Sequence, residues 1–306
     1  MKTNMTTTQQ SNVWLITGCS RGFGRSLISA VLASGDKVIA TARKVSDLSD
    51  VGDNTNVRVL SLDVTASQEV LQEKVNEAQS FFGKIDVLVN NAGYVLSGVW
   101  EELSPEEVLH QFNTNFFGAL NVTRAVLPFM RSQRKGTVLF MGSISGWHAL
   151  AAGGPYSASK FALEGAVESL SKELQPLGIR VHIFVIGRFR TDILDDNVKL
   201  GKLDTESGFA DYAGIKEKLA QAHAATQGAQ PGDPIKAAER IVDIARLENI
   251  TKFQAENLPL RIPLGAEAVV AMKKKCTETL EFLDTWADFA ASADFQHVEG
   301  GLAYDD

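Results

Sequence analysis

The tightest constraint on the fold lies near the N-terminus. There a short apolar run of strand formers, Val13-Trp14-Leu15-Ile16-Thr17, ends at Gly18-Cys19-Ser20-Arg21-Gly22-Phe23-Gly24. Leu27, Ile28, Val31 and Leu32 then recur at helical spacing up to Gly35. Gly18 permits a tight turn, Gly22 lets a ligand approach the backbone, and Gly24 lets helix and strand touch. The helix start offers unpaired N–H groups and a positive dipole end to a phosphate. A glycine triplet alone is a plain turn as readily as a phosphate site. Between a strand and a helix it predicts a dinucleotide site, formed by Gly18, Ser20, Arg21, Gly22, Phe23 and Gly24.

The same alternation continues. Strand patterns at 37–41, 56–62, 85–89, 136–142 and 179–185 alternate with helical spacing at 66–82, 104–130 and 156–174. Ser104-Pro105-Glu106-Glu107 supplies an N-cap, a proline at the first helical position and acids in the first turn. The fold class is therefore α/β, a Rossmann-like doubly wound parallel sheet with helices on both faces. Leu258–Leu264 forms a seventh strand, kept at the edge by Pro259 and Pro263, in the order 3-2-1-4-5-6-7. One domain is expected over 12–290, after a disordered 1–11 and before an acidic tail at 291–306. The polar, weakly periodic stretch 188–232 reads as a substrate loop, and Asp233-Pro234 opens a further helix. Ala266 to Phe289 reads as an amphipathic helix.

The second strand ends where such folds read the adenosine ribose. An acid there binds the 2′-hydroxyl, but this chain has Thr41-Ala42-Arg43, so Thr41 and Arg43 join the cofactor set. Arg43 and Arg21 are suited to clamp a 2′-phosphate, which predicts NADP(H) over NAD(H); the alternative is a pair of solvated surface arginines. Asp63 is placed to accept from an adenine amino group, or to cap the next helix. Asn90-Asn91-Ala92-Gly93 ends the fourth strand beside the glycine turn, so Asn91, Ala92 and Gly93 join the cofactor set.

Tyr156 and Lys160 stand four apart on a predicted helix, so both side chains share one face. A cation beside a phenol favours the phenolate and brings its proton exchange nearer neutrality. By itself the pair reads as a half-buried tyrosine beside a surface lysine. Ser143, delivered by the fifth strand, adds a hydroxyl donor for the same reacting oxygen. Asn115, inside an apolar helix, is either a local tie or a polar member of the site.

Taken together, Thr17-Gly18-x3-Gly22-x-Gly24, Asp63, Asn90-Asn91-Ala92-Gly93, Asn115, Ser143, Tyr156-x3-Lys160 and Thr191 resemble the short-chain dehydrogenase/reductase family in order and spacing, over residues 12–192. The resemblance implies that Tyr156 is the acid/base and that Lys160 lowers its pKa and binds the nicotinamide ribose. It further implies that Ser143 polarises the carbonyl, Asn115 holds a relay water and Thr191 touches the carboxamide. The tail beyond Pro259 resembles longer, 17β-hydroxysteroid-dehydrogenase-like members. The family usually has Pro-Gly after the sixth strand where this chain has Ile186-Gly187, which implies a looser backbone and altered pocket shape beside a retained Gly187. Dimers or tetramers are implied as well, pairing through Phe116, Phe117, Phe161 and Leu163.

A formal charge of −7 disfavours nucleic acid and anionic membrane as partners, which leaves a small-molecule substrate. Two cysteines, Cys19 and Cys276, with no CxxC spacing give neither a disulfide framework nor a metal site, and a cytoplasmic enzyme is expected. Tyr94, Leu96, Trp100, Ile144, Trp147, His148 and Leu150 are the expected substrate residues. They suit an apolar, polycyclic, steroid-like or natural-product carbonyl, with His148 as a rim residue or a chemical one. The leading reading is an NADPH-dependent carbonyl reductase or the reverse alcohol dehydrogenase. A redox-neutral isomerase or cyclase and a nucleotide sensor are the rivals.

Overall fold

The structure is a computed structural model, and it describes residues 11–51, 54–194 and 208–295. The expected tails 1–11 and 291–306 and the middle of the 188–232 segment fall largely outside these residues. In chain order the main elements are β1 (Val13–Ile16), α1 (Gly22–Ala33), β2 (Lys37–Ala42), β3 (Val57–Ser61), α2 (Gln68–Phe82) and β4 (Val87–Asn90). Then come α3 (Pro105–Phe112), a π-helical segment (Asn113–Gly118), α4 (Ala119–Gln133), β5 (Gly136–Met141), α5 (Gly154–Leu174) and β6 (Ile179–Ile186). The chain continues through α6 (Ala213–Thr226), α7 (Pro234–Arg246), α8 (Lys252–Glu256), β7 (Arg261–Leu264) and α9 (Ala266–Ala291).

The strands form one sheet in the order β3-β2-β1-β4-β5-β6-β7, and every pairing is parallel. A parallel sheet is covered on both faces, which explains near-continuous apolar strands such as Val13-Trp14-Leu15-Ile16. Alternate residues feed opposite cores. Leu15, Ile39, Leu88 and Phe140 pack with α2, α4 and α5 residues, while Trp14, Ile16, Val38 and Val89 pack with α1 and α7 residues. β7 is an edge strand that carries Pro263, as its prolines predict.

Two expectations change here. The single helix read over 104–130 is broken by the π-helical segment at Asn113–Gly118. Its start is as expected: Ser104 and Glu107 form a reciprocal capping box. The second change is α6, a helix inside the stretch read as weakly periodic. Among the described residues no helix is long and apolar enough to cross a membrane.

Candidate active site

All the elements that build the site end at the same edge of the sheet, where the carboxyl ends of the strands open. Thr17, directly after β1, stitches the first turn to the fourth. Its Oγ1 accepts from Asn91 N at 2.9 Å and Ala92 N at 3.0 Å, while Asn91 Nδ2 donates to Thr17 O and Gly18 O, both at 2.9 Å. Gly18 sits at φ +69°, and a Cβ there would lie 2.8 Å from Ala92 Cα. A Cβ on Gly24 would lie 2.7 Å from Asn91 Nδ2. Gly18 is thus required by turn geometry and close approach together, and Gly24, inside α1, by close approach alone. Gly22 opens α1, whose N-cap, Arg21, makes no side-chain capping bond. That helix start presents its N–H groups to a phosphate, and the cradle fits a dinucleotide.

At the adenosine end, Cys19 N donates to Thr41 O at 2.8 Å, which holds the glycine turn beside the end of β2. Arg21 and Arg43 are both exposed on this rim. Thr41 is not: it is fully buried and its hydroxyl donates to Ile16 O at 3.1 Å. Its side chain ties two strands and offers nothing to a ribose, which corrects its place in the cofactor set. Asp63 uses Oδ1 to accept from Thr65 N at 2.9 Å and Thr65 Oγ1 at 2.7 Å, closing a local turn, and the helix cap offered as its alternative belongs instead to Ser67, which accepts from Val70 N at the start of α2.

Ser143, Tyr156, Lys160 and Asn115 converge on one cavity of about 280 Å³. Ser143 Oγ accepts from Ser145 N at 3.0 Å. Asn115 lies in the π-helical segment and clamps Tyr94, accepting from its N at 3.1 Å and donating to its O at 3.0 Å. Single π turns inside helices recur at functional sites, and this one turns a buried amide toward the cavity. Thr191, Gly93, Ile186 and Gly187 line the same space. Ile186 stays in register with Leu264 of β7, and Gly187 N donates to Leu264 O at 3.0 Å.

Electrostatics corrects a second expectation. Burial pushes the Tyr156 phenol above its ordinary value, and a hydrogen bond with Ser143 lowers it only in part. Lys160 donates to Met141 O at 2.6 Å, and burial pulls its pKa down to about 8 while Glu164 pushes it up. Glu164 sits one turn along α5 and is itself held by Arg261 Nε at 2.8 Å from β7. Below about pH 8 Lys160 carries its charge, and above it the charge is lost. Turnover in the reducing direction is therefore expected to fall as pH rises through this range. Glu164→Gln removes a group that favours the ammonium, so the alkaline limb of the pH–rate profile should move to lower pH. An unmoved limb would separate Glu164 from the lysine's titration.

Of the expected substrate residues, Tyr94, Ile144 and Leu150 line the cavity. Leu96 is buried in the body of the protein, Trp100 is exposed over a separate groove beside Leu103 and Phe112, and His148 is exposed at the rim. Trp147 lies beneath the Arg261 guanidinium, 5.9 Å from ring centroid to cation. These four point away because the Ser143–Gly146 turn and the 94–100 segment bend, so neighbours in sequence diverge in space.

The opposite wall comes from α6. Leu219, Ala222, His223 and Thr226 face the cavity with Phe189 and Gln230. Their i, i+3, i+4, i+7 spacing is the signal that could have found them. A buried ion pair anchors this helix: Lys216 Nζ lies 3.0 Å from Glu102 Oε1, which also accepts from Phe209 N at 2.8 Å. The ammonium keeps the Glu102 carboxyl below its ordinary range. Breaking one partner of a buried pair leaves an uncompensated charge. Lys216→Met should thus raise the substrate KM several-fold while leaving cofactor affinity intact. Equal loss of both would mean general unfolding instead.

A glycine cradle at a helix start, beside a Ser-Tyr-Lys cluster at the carboxyl edge of a doubly wound sheet, is the arrangement of a nucleotide-dependent enzyme of the dehydrogenase class. The short chain dehydrogenase family model matches residues 12–199, and the chain belongs to that family. A 3-ketodihydrosphingosine reductase from Bacteroides thetaiotaomicron is 42% identical over 187 residues, 61% of this chain and 67% of that protein. A short-chain dehydrogenase structure from Streptomyces avermitilis, 34% identical, superposes with a TM-score of 0.81 over 94% of this chain and 100% of the other. A Burkholderia cenocepacia short chain dehydrogenase in complex with NADP is 26% identical, with a TM-score of 0.64 over 90% of this chain and 97% of that one.

Proposed function

We propose that this protein is an NADP(H)-dependent carbonyl reductase acting on an apolar small-molecule ketone. The observation that carries the reading is the shared cavity: the Ser143 and Tyr156 hydroxyls enter a mostly apolar space whose far wall is α6. When bound along the glycine cradle, NADP(H) supplies a hydride to the carbonyl carbon. Ser143 holds the carbonyl oxygen, and Tyr156 delivers a proton to it. Burial keeps the phenol protonated at neutral pH, the form that can donate to a carbonyl oxygen. Lys160, charged below about pH 8, faces the Tyr156 ring at 5.7 Å and offsets the charge left as the proton departs. Asn115 fixes Tyr94 on the cavity wall.

The NADP of the Burkholderia structure supports the cofactor, and the 3-ketodihydrosphingosine reductase from Bacteroides supports a lipid-like ketone, whereas the polycyclic, steroid-like class has only the apolar cavity behind it. A cytoplasmic homodimer or homotetramer completes the reading, with the exposed Phe117 and Phe161 at the contact. Leu163 has no part in that face because it is buried in the core, and Phe116 packs half-buried against it. The test is a panel of apolar ketones and secondary alcohols with NADPH or NADP, read by nicotinamide absorbance. Ketone-dependent oxidation of NADPH is expected. Product formation with no net cofactor turnover would replace the reductase by a redox-neutral enzyme.

A further inference from the structure

One wall of the catalytic cavity is the stretch from Ile186, at the end of β6, through Phe189 to Thr191. Past Ile186 this stretch leaves the sheet, and its backbone polar groups are held one by one. Gly187 N donates to Leu264 O at 3.0 Å, Gly232 N donates to Arg188 O at 3.1 Å, and Arg190 N donates to Gly232 O at 2.9 Å. The Arg188 N–H has a different acceptor, Glu267 Oε2 at 3.1 Å. The same carboxylate accepts from Arg188 Nε, at 3.0 Å to each oxygen, and from Arg188 Nη2.

Glu267 stands in the first turn of α9, where an acid is ordinarily explained by the helix dipole. This one also reaches a residue 79 positions earlier in the chain. Gly187 leaves room for the approach, since a Cβ there would lie 3.4 Å from Glu267 Cβ. An ion pair whose side chains are 51% and 28% exposed contributes little by itself. What sets this one apart is the amide it also holds: fixing the Arg188 N–H fixes the peptide between Gly187 and Arg188, and both residues line the cavity. The next residues carry the restraint toward the glycine cradle. Phe189 is buried against Gly232 and against Gly265, the N-cap of α9, and it meets Phe23 edge to face with ring centroids 5.2 Å apart. Thr191 lies over Gly22, where a Cβ would be 3.7 Å from the threonine Cβ.

We infer that Glu267 is a positioning residue for the active site: by holding the Arg188 amide it fixes the Ile186–Thr191 wall, against which, on the reading of an NADP(H) cofactor, the nicotinamide end must lie to reach the Ser143–Tyr156–Lys160 set. The adenosine end is served by other groups, Arg21 and Arg43 at the exposed rim. The Arg188 guanidinium keeps the Glu267 carboxyl below its ordinary range, so the clamp stays ionised at neutral pH.

The test uses the full chain as Glu267→Ala and as Arg188→Ala, the second of which removes the ion pair but keeps the Arg188 N–H bond. In the ligand-free protein, amide exchange across 186–191 should quicken by roughly tenfold or more in Glu267→Ala and by less in Arg188→Ala, while the thermal melt stays cooperative. By calorimetry, Glu267→Ala should bind NADP about three- to tenfold more weakly than the parent, and should bind 2′,5′-ADP, which has only the adenosine end, as tightly as the parent does. Unchanged exchange, an unchanged NADP affinity, or an equal loss for both ligands would overturn the inference. So would an Arg188→Ala protein that loses as much as Glu267→Ala, because the amide would then not be the contact that fixes the wall. A parent that binds neither ligand would overturn the cofactor reading instead, and the exchange rates would still decide whether Glu267 holds the wall.

Discussion

Tyr156→Phe is expected to lower ketone reduction by roughly 10²- to 10⁴-fold while NADPH affinity stays nearly unchanged. Phenylalanine keeps the ring and so the packing beside Ser157 and Lys160, and only the proton donor is lost. The size follows from the environment. The phenol lies in the substrate cavity, its acidity is tuned by burial and by Ser143, and among the described residues Ser143 is the hydroxyl that bonds to it. Ser143 is occupied as an acceptor for Ser145 N at 3.0 Å, which leaves its own proton for the carbonyl oxygen but does not make it a substitute acid. Lys160→Met should behave differently, lowering turnover and cofactor affinity together, because the ammonium serves the phenol and the ribose end. Titrating NADPH by fluorescence and measuring single-turnover rates on both variants separates the two roles. Full activity in Tyr156→Phe would remove the proposed acid.

The fold was legible because its signals are local and repeated. Each strand is a short apolar run, several helix starts carry their own cap, as at Ser104 and Asp233, and the alternation leaves a parallel sheet as the way to bury both faces. The chemistry was legible for a related reason. Gly18, Gly24 and Asn91 must approach other backbone atoms closely, so their residue types are constrained by geometry that sequence spacing exposes. The substrate wall was not. Leu96 and Trp147 are apolar and near the motif, yet whether such a side chain faces a cavity or the core depends on how a loop bends, and loop bends are set by distant contacts. The wall formed by α6 was hidden by a mixed composition. Its inward face is carried by one leucine, one alanine, one histidine and one threonine, and its anchor is a buried lysine, Lys216, that composition alone assigns to the surface. Thr41 failed for the opposite reason: it stands at the ribose position in sequence, but the last turn of β2 rotates it into the interior.

That rotation sharpens the remaining prediction, on cofactor choice. With Thr41 sealed away and no acid at the end of β2, nothing there repels a 2′-phosphate, and the groups left at the rim are Arg43 and Arg21. The Cys19 N to Thr41 O bond holds the glycine turn against β2, and Ser61 Oγ fixes Arg43 O at 3.0 Å, so both arginines project from anchored backbone. Arg25, the next cation along α1, is already paired with Asp50. Charge-assisted contacts to a phosphate are each worth roughly ten- to a hundredfold in affinity, and a guanidinium can present two parallel donors to it. Arg21→Ala with Arg43→Ala is therefore expected to weaken NADPH binding by about 10²-fold or more and to leave NADH, which lacks the phosphate, within a few-fold of the parent. Raising salt should narrow the parent's preference for NADPH, since both arginines are exposed and their field is screened. Fluorescence titration of the two cofactors against parent and double variant reads the difference directly. A parent that binds NADH as tightly as NADPH, or a double variant that loses both equally, would mean that the arginines serve the fold's surface and that selectivity arises elsewhere along the adenosine end.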